Sequence, residues 1–340
     1  VYQLDAEREA GLLDVADRLL LIPDLIGYLL TGQAVTERTN ASTTGLIDID
    51  SGEWNRALLC ELSIPDHLFT PLVEPGTRLG PLRESLGLDG ACELVTVGSH
   101  DTASAVVAVP AEHDAFAYVS SGTWSLVGLE LPGPVVSEAA RDANFTNEAG
   151  VDGRVRFLQN VSGLWLLDET VRGWRSAGHE SDLTTLLEQA AAVDSAGVVR
   201  FDAADPRFLA PGDIPGRIAD WCAEHDVPAP RGRAELVRGI LESLAEAYAR
   251  SIRRAVELSG QSVTTVHIVG GGSRNRLLCQ LTADRTGLPV LAGPAEATAV
   301  GNVVVQARAL GVISGSLEAL RAIVAASFPP RRYLPASGSS

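Results

Sequence analysis

The chain has 340 residues, enough for two domains at roughly 100–200 residues each. Acidic residues outnumber basic ones, 43 against 27, for a formal net charge of -16, whereas a nucleic-acid footprint needs the opposite sign. The longest apolar run, "LLLIPDLIGYLL" from Leu19 to Leu30, is broken by Pro23 and Asp24 and falls short of the roughly 20 residues of a membrane span, so neither nucleic acid nor membrane is an expected partner.

Four cysteines, Cys60, Cys92, Cys222 and Cys279, are scattered without a C-x-x-C pair, so neither a zinc site nor a disulfide framework is signalled and a reducing cytoplasm fits best. The chain contains no Met, even at position 1, and opens in what reads as mid-domain, so an upstream start is expected. It also contains no Lys, which removes a P-loop lysine, a Schiff base and a lysine general base from these residues.

Residues 1–35 read as helices, with apolar positions at helical spacing and Gly32 closing the run as a C-cap. "TERTNASTTGLIDIDSGEWN" is polar and turn-rich. A helix over about 54–62 and turns through "EPGTRLGPL" lead to a short strand in "CELVTVGS". "DTASAVVAVPA" predicts a helix, and "FAYVSSGTWSLVGLEL" predicts two strands of a hairpin about a Ser-Gly turn.

From 160 the pattern is helical, first in "SGLWLLDETVRGW" and then in "DLTTLLEQAAAV". "FDAADPRFLAPGDIPG" predicts a long loop. "RAELVRGILESLAEAYARSIRRAVELSG" is the strongest helix, amphipathic and closed by Gly260. "VTTVHIVGGGSRNRLLCQLTADRTGLPVLAG" reads strand, glycine turn, helix, strand. The alternation makes the chain an α/β protein, with a disordered tail over 336–340.

Three segments carry candidate chemistry. In "SHDTAS", Asp101 sits where a strand gives way to a helix; it is either the helix N-cap or a general base placed to take a hydroxyl proton, with His100 and Thr102 beside it. The turn "SSGTWS" offers Ser121, the bare backbone of Gly122 and the hydroxyl of Thr123 to phosphate oxygens, and is equally an ordinary hairpin turn. "VGGGSRN" joins a strand to a helix, where unpaired N–H groups favour an anion. It has neither dinucleotide-binding nor P-loop spacing, and close strand–helix packing explains its glycines as well.

Together and in this order, these segments resemble the FGGY family of carbohydrate kinases from about Tyr2 to Pro335. "TNASTTGLID", "NFTNEAG", "FLQNVSGLWLL" and "DPRFLAP" contribute, while "SHDTASAV", "SSGTWSLVG" and "GGGSRN-x-LLCQLTAD" are the specific motifs. The resemblance implies the two-lobed ribonuclease-H-like fold of sugar kinases, actin and the heat-shock-chaperone ATPases. Its first lobe is incomplete over 1–100 and its nucleotide-binding lobe spans 101–335.

The resemblance further implies ATP-dependent phosphorylation of a ketose O1 hydroxyl, with L-rhamnulose first and fuculose or xylulose as alternatives, Mg2+ as the metal and room for a homodimer. Asp101 matches the family's catalytic base, and His100 and Thr102 match sugar-contacting residues. Ser121, Gly122, Thr123, Asn160, Asp168, Gly270, Gly271 and Asn275 fall on the ATP side, Asp168 where the resemblance implies Gln. The family's first phosphate loop and its magnesium-linked aspartate have no counterpart in residues 1–340, so no metal ligand is assigned and a non-catalytic binding module stands as the rival expectation.

Overall fold

The computed structural model describes residues 1–87, 92–179, 182–195 and 197–336; of the tail expected to be disordered, residues 337–340 lie outside these. The first part holds α1 (Tyr2–Glu9), α2 (Ile22–Thr31), β1 (Thr36–Glu37), α3 (Arg38–Ala41), α4 (Arg56–Glu61), β2 (Leu72–Val73), β3 (Arg78–Pro81) and β4 (Glu93–Val95). Next come α5 (Asp101–Val107), β5 (Phe116–Ser121), β6 (Trp124–Leu131), α6 (Glu138–Asp142), β7 (Thr146–Ala149), β8 (Val155–Ser162), α7 (Trp165–Ser176), α8 (Leu183–Ala191) and α9 (Ile214–Glu224). The chain continues through α10 (Arg233–Ser259), β9 (Thr265–Val269), α11 (Arg276–Thr286), β10 (Val290–Ala292), α12 (Ala297–Ala309), α13 (Leu317–Ser327) and β11 (Arg331–Tyr333).

Seven strands form one mixed sheet in the order β11-β10-β9-β5-β6-β8-β7. β9 runs parallel to β5 and β10, and the other pairs are antiparallel. Successive side chains of a strand point to opposite faces. Ala117 and Val119 of β5 therefore enter a core shared with α7, α8, α9, α10 and α11, while Phe116 and Tyr118 enter a second core shared with α5, α12 and α13. Covering on both faces explains why β5 reads as a continuous apolar run.

α5 and α12 touch through backbone: a Cβ on Gly301 would collide with the Ser104 carbonyl. The 27-residue α10 ends at Gly260, which is left-handed at φ 69° as a C-cap requires. Gly32 closes α2 in the same way at φ 86°.

A smaller cluster of Leu13, Ala41, Leu46, Trp54, Leu59, Ile64 and Leu68 organises the first part. This part meets the large sheet where the Ser42 hydroxyl accepts the Ala149 N–H at 2.9 Å. Among the described residues no helix is long and apolar enough to cross a membrane.

The sequence expectations need three corrections. Part of the segment expected to turn, Arg78–Pro81, is a strand, because it pairs with β4. The expected loop over 201–216 contains a 3-10 turn at Pro206–Phe208, anchored by the buried Phe208, and the start of α9. Residues 160–162, read as helical, end β8, whose pairing with β6 runs through Ser162.

Candidate active site

Because β5 and β9 are parallel, with Ser120 opposite Val269, the "SSGTW" turn and the glycine turn leave the same edge of the sheet. Ligands of α/β sheets gather outside the carboxyl ends of such strands. The Leu164 and Trp165 N–H groups donate to the carbonyls of Gly122 and Thr123 at 2.9 and 3.1 Å, docking the turn on the start of α7. Gly163 permits this approach, since a Cβ there would lie 2.5 Å from the Thr123 carbonyl. Gly122 and Thr123 are exposed.

Ser121 is placed differently. It is buried, and its hydroxyl lies 3.4 Å from the Tyr248 hydroxyl, itself 2.6 Å from Ser125 Oγ. Ser121 thus supports the turn from beneath, with no hydroxyl free for a ligand.

The glycine turn divides by residue. A Cβ on Gly270 would stand 2.8 Å from the Ser121 carbonyl and one on Gly272 would collide with Ser121 Oγ, so close packing explains these two. Among the described residues, none beyond its chain neighbours has an atom within 4 Å of the Gly271 Cβ position, which faces open space. Asn275 accepts the Leu278 N–H at 3.0 Å and caps α11. Asn160 is exposed on β8 opposite Leu126. Asp168 lies at the surface in the first turn of α7, its carboxyl raised above the ordinary range by desolvation.

Asp101 joins this edge through α12: the Thr298 hydroxyl donates to the Asp101 carbonyl at 3.1 Å, and Arg274 of the glycine turn pairs with Glu296 just ahead of α12 at 2.9 Å. The N-cap reading of Asp101 is corrected by one residue. His100 occupies the cap position, without a side-chain cap bond, and Asp101 is the first helical residue.

Its Oδ1 accepts from Thr102 N at 2.7 Å and from the buried Thr102 hydroxyl at 3.2 Å, with His100 Nε2 3.8 Å away. No described residue bonds Oδ2, and the side chain is 79% exposed. Asp101 is therefore a carboxylate pinned by one oxygen with the other open, the arrangement a proton acceptor needs.

Sequence reasoning missed the groups behind it. Glu148 of β7 and Arg156 of β8 are a cross-strand pair, buried together, 3.1 Å apart. Burial alone would raise the Glu148 carboxyl, but its neighbours, the Arg156 charge among them, hold it below its ordinary range.

Glu37, N-cap of α3, accepts from Thr39 N, Thr39 Oγ1, Asn40 N, Ser99 N and Ser99 Oγ, tying the first part of the chain to the residue before His100. Its own N–H donates to Asp24 Oδ1 at 3.1 Å. Burial, aided by the Glu37 charge, lifts the Asp24 carboxyl to about 7. A cavity of about 420 Å3, lined in part by Arg38, Ser42, Glu74, Glu148 and Arg154, lies alongside; neither His100 nor Asp101 lines it.

Residues 6–108 match the N-terminal domain, and residues 117–310 the C-terminal domain, of the FGGY family of carbohydrate kinases. The chain is 41% identical over 338 residues to a rhamnulokinase of Enterococcus faecalis, covering 98% of this chain and 67% of that protein. It is 39% identical over 344 residues to one of Bacillus subtilis, covering 98% and 68%. It thus spans about two-thirds of the length of these relatives. A gluconate kinase structure from Lactobacillus acidophilus shares the fold at a TM-score of 0.77 with 15% identity, covering 98% of this chain and 67% of that one.

Proposed function

Because the chain belongs to the FGGY family of carbohydrate kinases, we propose that the edge around Asp101 transfers the γ-phosphoryl group of ATP to the O1 hydroxyl of a ketose, L-rhamnulose. The observation that carries this reading is the identity of about 40% to rhamnulokinases across nearly the whole chain.

Asp101 Oδ2 takes the proton of the O1 hydroxyl as that oxygen attacks the γ-phosphorus. The bond to the β-phosphate oxygen breaks, and ADP leaves. The protein's work in phosphoryl transfer is mostly alignment and charge neutralisation. Thr102 holds Asp101 Oδ1, so the carboxylate has one orientation. Gly271, Gly122 and Thr123 offer exposed backbone and a hydroxyl to the nucleotide.

FGGY kinases use ATP with Mg2+. The described residues contain no group of three His, Cys, Asp or Glu placed to hold a metal ion. A bound Mg2+ would neutralise phosphate charge. The same reading places the enzyme in the cytoplasm, in keeping with four free thiols.

The test is ketose-dependent ADP release by the complete protein. L-rhamnulose should give the highest kcat/KM. Preference for xylulose or fuculose would overturn the substrate, and no ketose-dependent release would overturn the kinase.

A further inference from the structure

Behind Asp101 the imidazole of His100 is gripped from the sheet. Arg156, whose side chain is wholly buried, donates through Nε to the Ala149 carbonyl at 3.1 Å and through Nη2 to His100 Nδ1 at 3.0 Å. Glu148 Oε2 lies 3.1 Å from that Nη2 and 3.3 Å from Nδ1, with no aligned hydrogen bond to either.

A guanidinium only donates, so its bond to Nδ1 needs the lone pair there and leaves the neutral ring's proton on Nε2. Nε2 is the atom that faces Asp101 Oδ1, at 3.8 Å. Glu148 supplies the countercharge that a buried guanidinium requires.

We propose that the Arg156–Glu148 pair is a tautomer lock: it keeps the proton of His100 on Nε2, aimed at Asp101 Oδ1, and so leaves Oδ2 as the oxygen that receives the substrate proton. The significance for catalysis rests on the kinase reading; the tautomer itself does not. Arg156 and Glu148 are positioning residues, reached through His100.

The experiment uses the complete protein labelled with 15N at histidine, the His100 signals being identified by their loss in His100→Gln. Two-bond 15N–1H correlations should show the proton on Nε2; a proton on Nδ1 overturns the lock. Arg156→Met removes the donors at similar length. It should move the proton toward Nδ1, where Glu148 accepts it, and lower kcat by up to about 10²-fold through misorientation, with ATP affinity unchanged. Arg156→Lys, which keeps a donor, should recover part of that loss.

An unmoved proton and wild-type kcat in Arg156→Met would overturn the proposal. Should Arg156→Met fail to fold, Glu148→Gln decides, because its proton must stay on Nε2 if Arg156 sets the tautomer and a shift contradicts this. A protein with the Nε2 proton but no ketose turnover would refute the kinase reading and leave the lock standing.

Discussion

Gly271→Ala and Gly272→Ala place the same methyl one residue apart in the glycine turn, with opposite expected outcomes. At Gly272 the new carbon collides with Ser121 Oγ and lies 2.5 Å from Ser121 Cβ. Ser121 is 1% exposed, so it cannot move out into solvent. Overpacking of this kind costs about 1–3 kcal/mol, and a unit of about 150–250 residues loses about 2–4 °C per kcal/mol, so Tm should fall by about 2–12 °C.

At Gly271 the methyl meets none of the described residues beyond its chain neighbours within 4 Å and the backbone is not left-handed, so stability should stay within about 0.5 kcal/mol of wild type. If the triphosphate lies against this backbone, the methyl displaces it, and ATP affinity should drop about tenfold, or 1.4 kcal/mol. Thermal unfolding and calorimetric titration with ATP on the complete protein measure both effects. Gly271→Ala with unchanged ATP affinity, or as destabilised as Gly272→Ala, would refute the division of the turn into a packed and a ligand-facing glycine.

Other outcomes follow from the buried charges. Glu37→Gln puts an amide where Oε2 or Oε1 now accepts only donors, so it should cost about 1–3 kcal/mol in thermal unfolding and lower kcat/KM by disturbing Ser99. Asp24 keeps its proton in the folded state up to about pH 7 but releases it near 3.8 when unfolded, so its contribution to stability falls as pH rises between these values and is flat above. Asp24→Asn should accordingly flatten Tm between pH 5 and pH 7; an unchanged slope would show that other groups set it. Glu130→Gln leaves the buried Arg321 without its partner at 2.8 Å and should destabilise by about 3–5 kcal/mol, measured by denaturant unfolding.

The elements with strong local signals were legible: the amphipathic α10 with its terminal glycine, the β5–β6 hairpin, and the strand–glycine–helix passage into α11. β3 was not, because its pairing with β4 is tertiary and its Gly and Pro residues read as turn. The location of Asp101 was legible from its motif, but its place relative to the cap was off by one residue, since only backbone geometry separates His100 as cap from Asp101 as first helical residue. Glu37, Glu148 and Arg156 escaped because charged residues in polar stretches read as solvated; that they are buried depends on which distant segments pack over them. The glycines of "VGGGSRN" showed that close approach was needed, yet only their surroundings separate Gly270 and Gly272, packed on Ser121, from the open Gly271.

The central claim is that Asp101 accepts the proton of the attacking hydroxyl, and steady-state turnover of Asp101→Asn in the complete protein tests it most directly. The amide oxygen can keep the bonds from Thr102, and the side chain is 79% exposed, so folding and ATP affinity should be unchanged. Only the oxygen that takes the proton is lost. The account predicts a fall in kcat of roughly 10²–10⁴ with L-rhamnulose and ATP. A folded variant whose kcat stays within about threefold of wild type would contradict it.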